Sequence, residues 1–179
     1  MITTRAIKIT AAVALIAVVG IATGAWYGRR DRVQDLVTAA EAVDAVIDQW
    51  YSVRAVIQAD LPSAHYRTPE IEQDAAERLR RSTTATLRSL DDAIADVRGV
   101  PLAGRWSVDV DVARDSYIHH ARRWTAYLRE VAEDPVAALD EPPPPFTASR
   151  AASEEAFASA LPPFAGDELR RRVAALLER

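Results

Sequence analysis

The stretch DRVQDLVTAAEAVDAVIDQWYSVRAVIQAD, residues 31–60, decides the fold class of this chain. Its apolar residues recur at alternating steps of three and four, the spacing of a helix that buries one face. The stripe consists of Leu36, Ala40, Val43, Ile47, Trp50, Ile57 and Leu61, with Arg54 between Trp50 and Ile57. Pro62 follows and cannot continue a helix. The stretch therefore predicts one long amphipathic helix.

Two further helices of similar length follow. Thr68 and Pro69 form an N-cap followed by a proline at the first helical position, and Gly99 and Pro101 stop that helix. Its predicted stripe is Ile71, Ala75, Leu79, Thr83, Leu87, Leu90, Ile94 and Val97. A third helix is predicted from about Ser107 to Glu133, with the stripe Trp106, Val110, Ala113, Tyr117, Ala121, Trp124, Leu128 and Val131. Short loops between long helices predict an antiparallel three-helix bundle over residues 31–133.

The remainder of the chain has a different character. Residues 134–147 contain a run of four prolines, 142–145, with acidic neighbours, which predicts an extended, solvated linker. A ligand for an aromatic-lined groove is the alternative interpretation of that run. Two short helices that pack on the bundle are predicted within residues 148–179, separated by Pro162 and Pro163. The predicted fold class is thus all-α.

Residues 9–27 form a stretch of nineteen residues without a charged side chain, preceded by Arg5 and Lys8. As a helix it would span roughly the 30 Å of a bilayer's hydrocarbon core. Residues 1–30 are therefore predicted to be a single transmembrane anchor with a short basic N-terminal tail. A signal peptide cleaved after Gly24 is the alternative, but Trp26 and Tyr27 lie where an interfacial aromatic belt belongs. Arg29, Arg30 and Arg32 follow the stretch, so basic residues flank it on both sides and the positive-inside rule hardly discriminates between the two orientations. We expect the soluble domain on the extracytoplasmic side.

Gly20, Gly24 and Gly28 recur every fourth residue in and just after this stretch. Such a stripe lets two transmembrane helices approach closely, so it is a candidate helix-dimer face. The alternative is that these glycines reflect the general abundance of glycine in transmembrane helices.

Composition excludes several classes of function. All 26 acidic residues and 18 of the 22 basic ones lie beyond residue 30, so that part of the chain has a net charge of −8. An acidic domain argues against a nucleic-acid partner. The chain has no cysteine, and therefore no disulfide, thiolate metal site or cysteine nucleophile. Of the basic residues 21 are arginine, a bias that we interpret as compositional rather than functional.

No signature of catalysis or of cofactor binding is present. The sequence has no nucleophile elbow, no phosphate-binding glycine loop and no zinc-binding helix motif. His119 shares a helical face with Asp111 and Asp115, but that face lies opposite the apolar stripe and predicts a poor metal site. His120 is predicted to be a boundary residue that hydrogen-bonds through its ring. We therefore expect no enzyme activity, no cofactor and no bound metal.

Arg54 is the residue that breaks its own pattern, and Gln58 lies one turn further along the same stripe. A buried guanidinium needs a carboxylate or several carbonyl partners, because an unpaired buried charge is costly. The structural interpretation is an ion pair with an acid such as Asp91 or Asp92, or a side chain that snorkels to solvent. The functional interpretation is an anion-binding pocket between helices, so Arg54 and Gln58 are candidate pocket residues.

The sequence supports two classes of function. The first is a membrane-anchored helical bundle that acts as an interaction or scaffolding module at the cell envelope. Its expected partners are the lipid bilayer and either another protein or a second copy bound through the transmembrane helix. The alternative is an extracytoplasmic ligand-binding or sensory bundle without a signalling domain of its own. A polar cavity between helices would favour the alternative, and an exposed apolar patch on a filled bundle would favour the first class.

Overall fold

The computed structural model describes the backbone of residues 4–101, 108–163 and 165–177, and the side chains of those residues from Gly28 to Leu176 except Ala64. This part of the chain is all-helical and has no strand, as the sequence predicts. The six α-helices are α1 Thr4–Asp60, α2 Pro69–Gly99, α3 Val108–Glu133, α4 Ala137–Asp140, α5 Thr147–Ala160 and α6 Asp167–Leu177. A 3₁₀ turn, Ala64–Tyr66, joins α1 to α2.

The three long helices run up, down and up. Asp60 of α1 pairs with Arg78 of α2 at 2.9 Å, and Trp50 Nε1 donates to Thr83 Oγ1 at 2.9 Å. Residue numbers thus fall on α1 as they rise on α2, so the two helices are antiparallel. Contacts between α1 and α3 run in the same direction on both helices, for Arg29 meets Asp109, Asp44 meets Tyr117 and Trp50 meets Tyr127. Helix α3 is therefore parallel to α1.

The helix ends follow the sequence signals. Thr68 is the N-cap of α2, its hydroxyl accepts a hydrogen bond from the Ile71 amide, and Pro69 occupies the first helical position. Glu70 and Glu72 lie in the first turn, where the helix dipole favours negative charge. The alternating valines at the start of α3 form helix, and Trp106, at the head of the predicted third stripe, lies outside the described residues.

The C-terminal helices return along the bundle. Helix α5 is antiparallel to α3, since His120 meets Ser149, Ser116 meets Ser153 and Tyr117 meets Phe157. Helix α6 packs on α1 and α5 through its buried residues Leu169, Val173 and Leu176. Residues 142–146 are not helical, but the predicted linker also contains the short helix α4.

The three predicted stripes form the core. Every member of the first stripe is buried except Leu61, which is partly buried. The described members of the third stripe are all buried. In the second stripe Leu87 is partly buried, and the prediction is wrong at Ile71, which is 38% exposed. Removing these side chains from water supplies the main driving force for folding, at about 25 cal/mol per Å² of apolar surface.

The predicted boundary at residue 30 is not a break in secondary structure, because α1 continues through it. Among the residues whose side chains the structure describes, Gly28 to Leu176, no helix is both long enough and apolar enough to cross a bilayer. The side chains of residues 9–27, including the candidate dimer-face positions Gly20 and Gly24, lie outside the described part. At Gly28 an added Cβ would meet nothing within 4 Å, so this position of the helix surface is open.

Candidate functional site

Arg54 is buried in the bundle, with 7% of its surface exposed, and it hydrogen-bonds to backbone carbonyls. Its Nη2 atom donates to Ala138 O at 3.0 Å and to Glu141 O at 2.5 Å. The guanidinium carbon lies 5.8 Å from the ring centre of Trp50, a cation–π contact one turn back along α1. Asp91 and Asp92, the acids that the sequence suggested as partners, are exposed on α2.

Gln58 continues this interaction one turn further along α1. Its Nε2 atom donates to Leu139 O at 2.5 Å. The last carbonyls of any helix lack partners within that helix, and α4 has only four residues. Arg54 and Gln58 together therefore satisfy carbonyls at the C-terminal end of α4, which fastens the linker to the bundle.

Two other contacts hold the same linker. Arg67 donates from Nη1 to both carboxylate oxygens of Asp140 at 2.9 Å, and its Nε donates to Pro62 O at 3.0 Å. At the far end, Phe146 adopts φ 44° and ψ 28°, a left-handed conformation that costs a non-glycine residue about 1 kcal/mol or more. Arg67 thus anchors the first end of the linker, and the ring of Phe146 anchors the second through the contacts described next.

Phe146 occupies this conformation because its ring packs into an aromatic cluster. The ring centre lies 5.0 Å from that of Trp124 and 6.3 Å from that of Tyr127, and the guanidinium of Arg123 lies 5.7 Å from it. The cluster extends through edge-to-face contacts to Trp50 and Tyr51. Such pairs add stabilisation beyond the area that they bury, and here they offset the backbone strain.

A cavity of about 120 Å³ lies beside this cluster, between α1, α3, α5, α6 and the linker. Its lining combines polar and apolar side chains, namely Asp44, Ile47, Asp48, Tyr51, His120, Trp124, Pro145, Arg150 and Leu176. Arg54 and Gln58 do not line it. The polar cavity therefore exists on α1, but it lies towards the N-terminal side of the position that the sequence suggested.

The hydrogen bonds around Ser149 favour one tautomer of His120. The Ser149 hydroxyl lies 3.0 Å from Phe146 O, to which it donates its single proton. His120 Nδ1 lies 3.0 Å from the same hydroxyl oxygen, and both contacts are hydrogen bonds when Nδ1 is the donor. In that tautomer Nε2 is the unprotonated acceptor nitrogen. Burial, followed by the nearby charges of Arg150 and His119, lowers the pKa of His120 to about 4. The prediction of a boundary histidine that hydrogen-bonds through its ring is confirmed.

The carboxylate of Asp44 is fixed from the core side. Tyr117 OH lies 2.5 Å from Asp44 Oδ1 and 2.8 Å from Ala40 O. Burial and the Asp44 charge raise the pKa of Tyr117 well above its ordinary value, so the phenol keeps its proton and donates.

A second hollow shares Asp44, Asp48 and Leu176 with the first and is closed on its other side by Glu41 and Arg172. Arg172 binds Glu41 with both ends of its fork, Nε to Oε1 at 2.8 Å and Nη2 to Oε2 at 2.5 Å. The hydrogen bond from Arg172 lowers the pKa of the Glu41 carboxyl. This pair, which sequence reasoning missed, docks α6 on α1 and neutralises its own charges.

Arg29 has a structural role that the sequence did not predict, since it was interpreted there only as a basic residue flanking the anchor. Its Nε donates to Ala160 O at 3.1 Å and its Nη2 to Ser159 O at 2.9 Å and to Asp109 at 3.1 Å. It therefore caps the C-terminal end of α5 and reaches the first turn of α3.

Within the described residues, no group of three or more His, Cys, Asp or Glu side chains is arranged to hold a metal ion. Comparison of the chain with family models, with curated proteins and with solved structures finds no match. The function is consequently argued from the geometry of this molecule.

Proposed function

We propose that this protein is a single-pass membrane-anchored helical bundle whose domain beyond residue 30 is a protein-interaction module at the extracytoplasmic face of the cell envelope. The observation that carries the proposal is the course of α1, Thr4–Asp60, which includes the uncharged stretch 9–27 and then the central apolar stripe of the bundle. Arg29, two residues after that stretch, is fastened to α3 and α5. A bundle attached in this way would be held at a fixed orientation to the bilayer.

The surface offers a groove suited to a helical partner. It has a volume of about 450 Å³ and lies between α1 and α2, lined by Ser52, Val53, Val56, Ile57, Arg78 and Arg81. Val56 is 57% exposed within it. Because its walls are valines, an isoleucine and two arginines, the occupant that we propose is an amphipathic helix with acidic residues beside its apolar face. The arginines' present ion pairs with Asp60 and Glu77 are exposed and worth little, so exchange with a partner is inexpensive.

The anchor is tested with Val18→Arg in the full chain. A charge at the centre of a spanning helix costs about 3 kcal/mol for insertion, so the variant should leave the alkaline-washed membrane fraction. Val112→Arg is the matched control, since Val112 is 53% exposed on α3. A wild-type chain that is soluble without detergent, or a Val18→Arg variant that stays in the membrane, would contradict the anchor.

The groove is tested by placing a photo-crosslinking amino acid at position 56 in intact cells, with position 112 as the control. We expect a discrete crosslinked product from position 56, reduced by Arg81→Glu because that change opposes an acidic partner. Sequencing of the product identifies the partner. Equal crosslinking from both positions, or no effect of Arg81→Glu, would remove the groove as the interaction face.

Self-association through Gly20, Gly24 and Gly28 is a separate part of the proposal. Gly24→Ile should abolish a crosslinked dimer in detergent by preventing close helix approach. If the proportion of dimer is unchanged, self-association uses another surface. The alternative function, a ligand-binding bundle, is favoured by one observation, the polar cavity between α1 and α3.

A further inference from the structure

The cavity between α1, α3, α5 and α6 has the size of a site for a small molecule. Its volume of about 120 Å³ is close to that of an engineered cavity, roughly 150 Å³, that holds benzene, and it is smaller than a typical drug-sized pocket. Ile47, Pro145 and Leu176 provide apolar walls. A ligand of a few heavy atoms with an alkyl body fits this space.

The polar part of the lining includes several hydrogen-bond acceptors. Asp44 and Asp48 lie one helical turn apart on α1, so both carboxylates are presented on one side of the cavity. A carboxylate accepts about four hydrogen bonds, so each of these two can bind a further donor in addition to its present partners. His120 is uncharged at neutral pH, and its Nε2 is a further acceptor in the tautomer that the Ser149 contacts favour.

Aromatic rings complete the lining. Tyr51 and Trp124 meet edge to face, with ring centres 5.5 Å apart, and both line the cavity. The negative faces of such rings attract organic cations. Arg150 is the single opposing charge, and its Nε lies 3.7 Å from a carboxylate oxygen of Glu154. Two carboxylates against one guanidinium leave the lining with a negative charge.

We propose that this cavity binds a small organic ammonium ion, with the alkyl body against Ile47 and Leu176 and the ammonium group at Asp44 and Asp48. The proposed ligand is a cation, whereas Arg54 suggested an anion in the sequence analysis. Arg54 directs its Nη2 to two backbone carbonyls, whereas the cavity on the same helix has two carboxylates and one guanidinium in its lining. This inference is independent of the membrane anchor and of the α1–α2 groove.

Calorimetric titration of the full chain in non-ionic detergent at neutral pH, with n-butylammonium chloride as the probe, tests the proposal. Sodium butyrate and 1-butanol at equal concentration and ionic strength are the comparison compounds. We expect saturable binding of n-butylammonium, no binding of butyrate, and a shifted indole resonance of Trp124 in the NMR spectrum.

Variants that change the charge of the lining test whether that charge determines the affinity for n-butylammonium. Asp48→Asn keeps the size of the side chain and should weaken binding about tenfold, and Asp35→Asn, an exposed acid on α1, should not change it. Arg150→Gln removes the opposing charge and should tighten binding severalfold. It decides the question even if Asp48→Asn fails to fold. Binding of butyrate equal to that of n-butylammonium, or weaker n-butylammonium binding by Arg150→Gln, would overturn the proposal, as would no binding at all.

Discussion

Arg54 and Arg29 lie on the same helix and play the same structural role, but Arg54 is more deeply buried than Arg29. Both donate to carbonyls at the C-terminal end of a helix, Arg54 to α4 and Arg29 to α5. Arg54 is 7% exposed, bonds only to carbonyls and lies against Trp50, whereas the Arg29 side chain is 23% exposed and also meets Asp109. In both settings the arginine fork caps a neighbouring helix, and we expect the more exposed contact to contribute less to stability.

The largest expected effect is that of Arg54→Ala. The variant leaves the carbonyls of Ala138 and Glu141 without their donor and removes the contact with Trp50, which should lower the free energy of unfolding by about 3 kcal/mol. Arg54→Met should cost less because it refills the space. Urea denaturation of the full chain, followed by near-ultraviolet circular dichroism, measures both. Exposed Arg88 provides the control, and an Arg54→Ala loss no larger than that of Arg88→Ala would show that the buried contact is dispensable.

Phe146 sharpens the comparison at the other end of the linker that Arg54 holds. Phe146→Ala should lower the free energy of unfolding by about 2 kcal/mol, since it removes the ring from Trp124 and Tyr127. Phe146→Gly loses the same ring but relieves the left-handed strain, so it should be at least as stable as Phe146→Ala. The same denaturation experiment applies. A glycine variant less stable than the alanine variant by about 1 kcal/mol would mean that the backbone is not strained.

Arg29→Met should lower the free energy of unfolding by about 1 kcal/mol, less than Arg54→Ala, because water replaces part of the lost interaction. Its Asp109 component should disappear in about 1 M salt, where the Debye length is roughly 3 Å. Asp109→Asn isolates that component, and the effect of Arg54→Ala should not depend on salt. Comparable salt dependence for both arginines would break the distinction between the buried and the solvated cap.

The effect that is smallest at neutral pH, and that grows only in acid, concerns the other end of α5, where His120 binds Ser149. The pKa of His120 is lowered from 6.5 to about 4 in the folded chain, so the unfolded chain takes up a proton first as the pH falls. Stability should therefore decline between about pH 6.5 and pH 4, and His120→Gln should reduce that decline. Titration of Glu41, whose pKa is also lowered, adds a loss below its ordinary value of 4.5. An identical pH profile for His120→Gln would show that this ring titrates normally.

Much of the fold could be predicted, because burial leaves a periodic trace in the sequence. The stripes of α1, α2 and α3 follow from helical spacing, and the ends of α2 follow from Thr68, Pro69 and Gly99. Ile71 was the exception, since a stripe position in the first turn of a helix can extend past its neighbour. Helix α4 was missed because four residues are too few to show a period.

The site was predictable only in part, for a physical reason. Arg54 was conspicuous because it interrupted an apolar stripe, but its carbonyl partners leave no mark in the sequence, since every residue has one. Arg29 looked like an ordinary flanking cation for the same reason. The interpretation of arginine as a merely compositional preference was therefore incomplete. The cavity depends on α6 returning to α1, a contact between residues 131 positions apart that no local pattern encodes.

The uninterrupted course of α1 has a mechanical consequence. Successive residues of a helix turn by 100°, so the unbroken backbone of α1 sets the rotation of its N-terminal end about the helix axis relative to the core stripe that begins at Leu36. Any twist applied to the N-terminal part is then passed to the bundle as torque rather than absorbed at a joint. Arg29 lies at the point where that torque enters the bundle, where it is also linked to α3 and α5. We therefore expect the N-terminal part of α1 and the bundle to rotate together as one body rather than about a flexible joint.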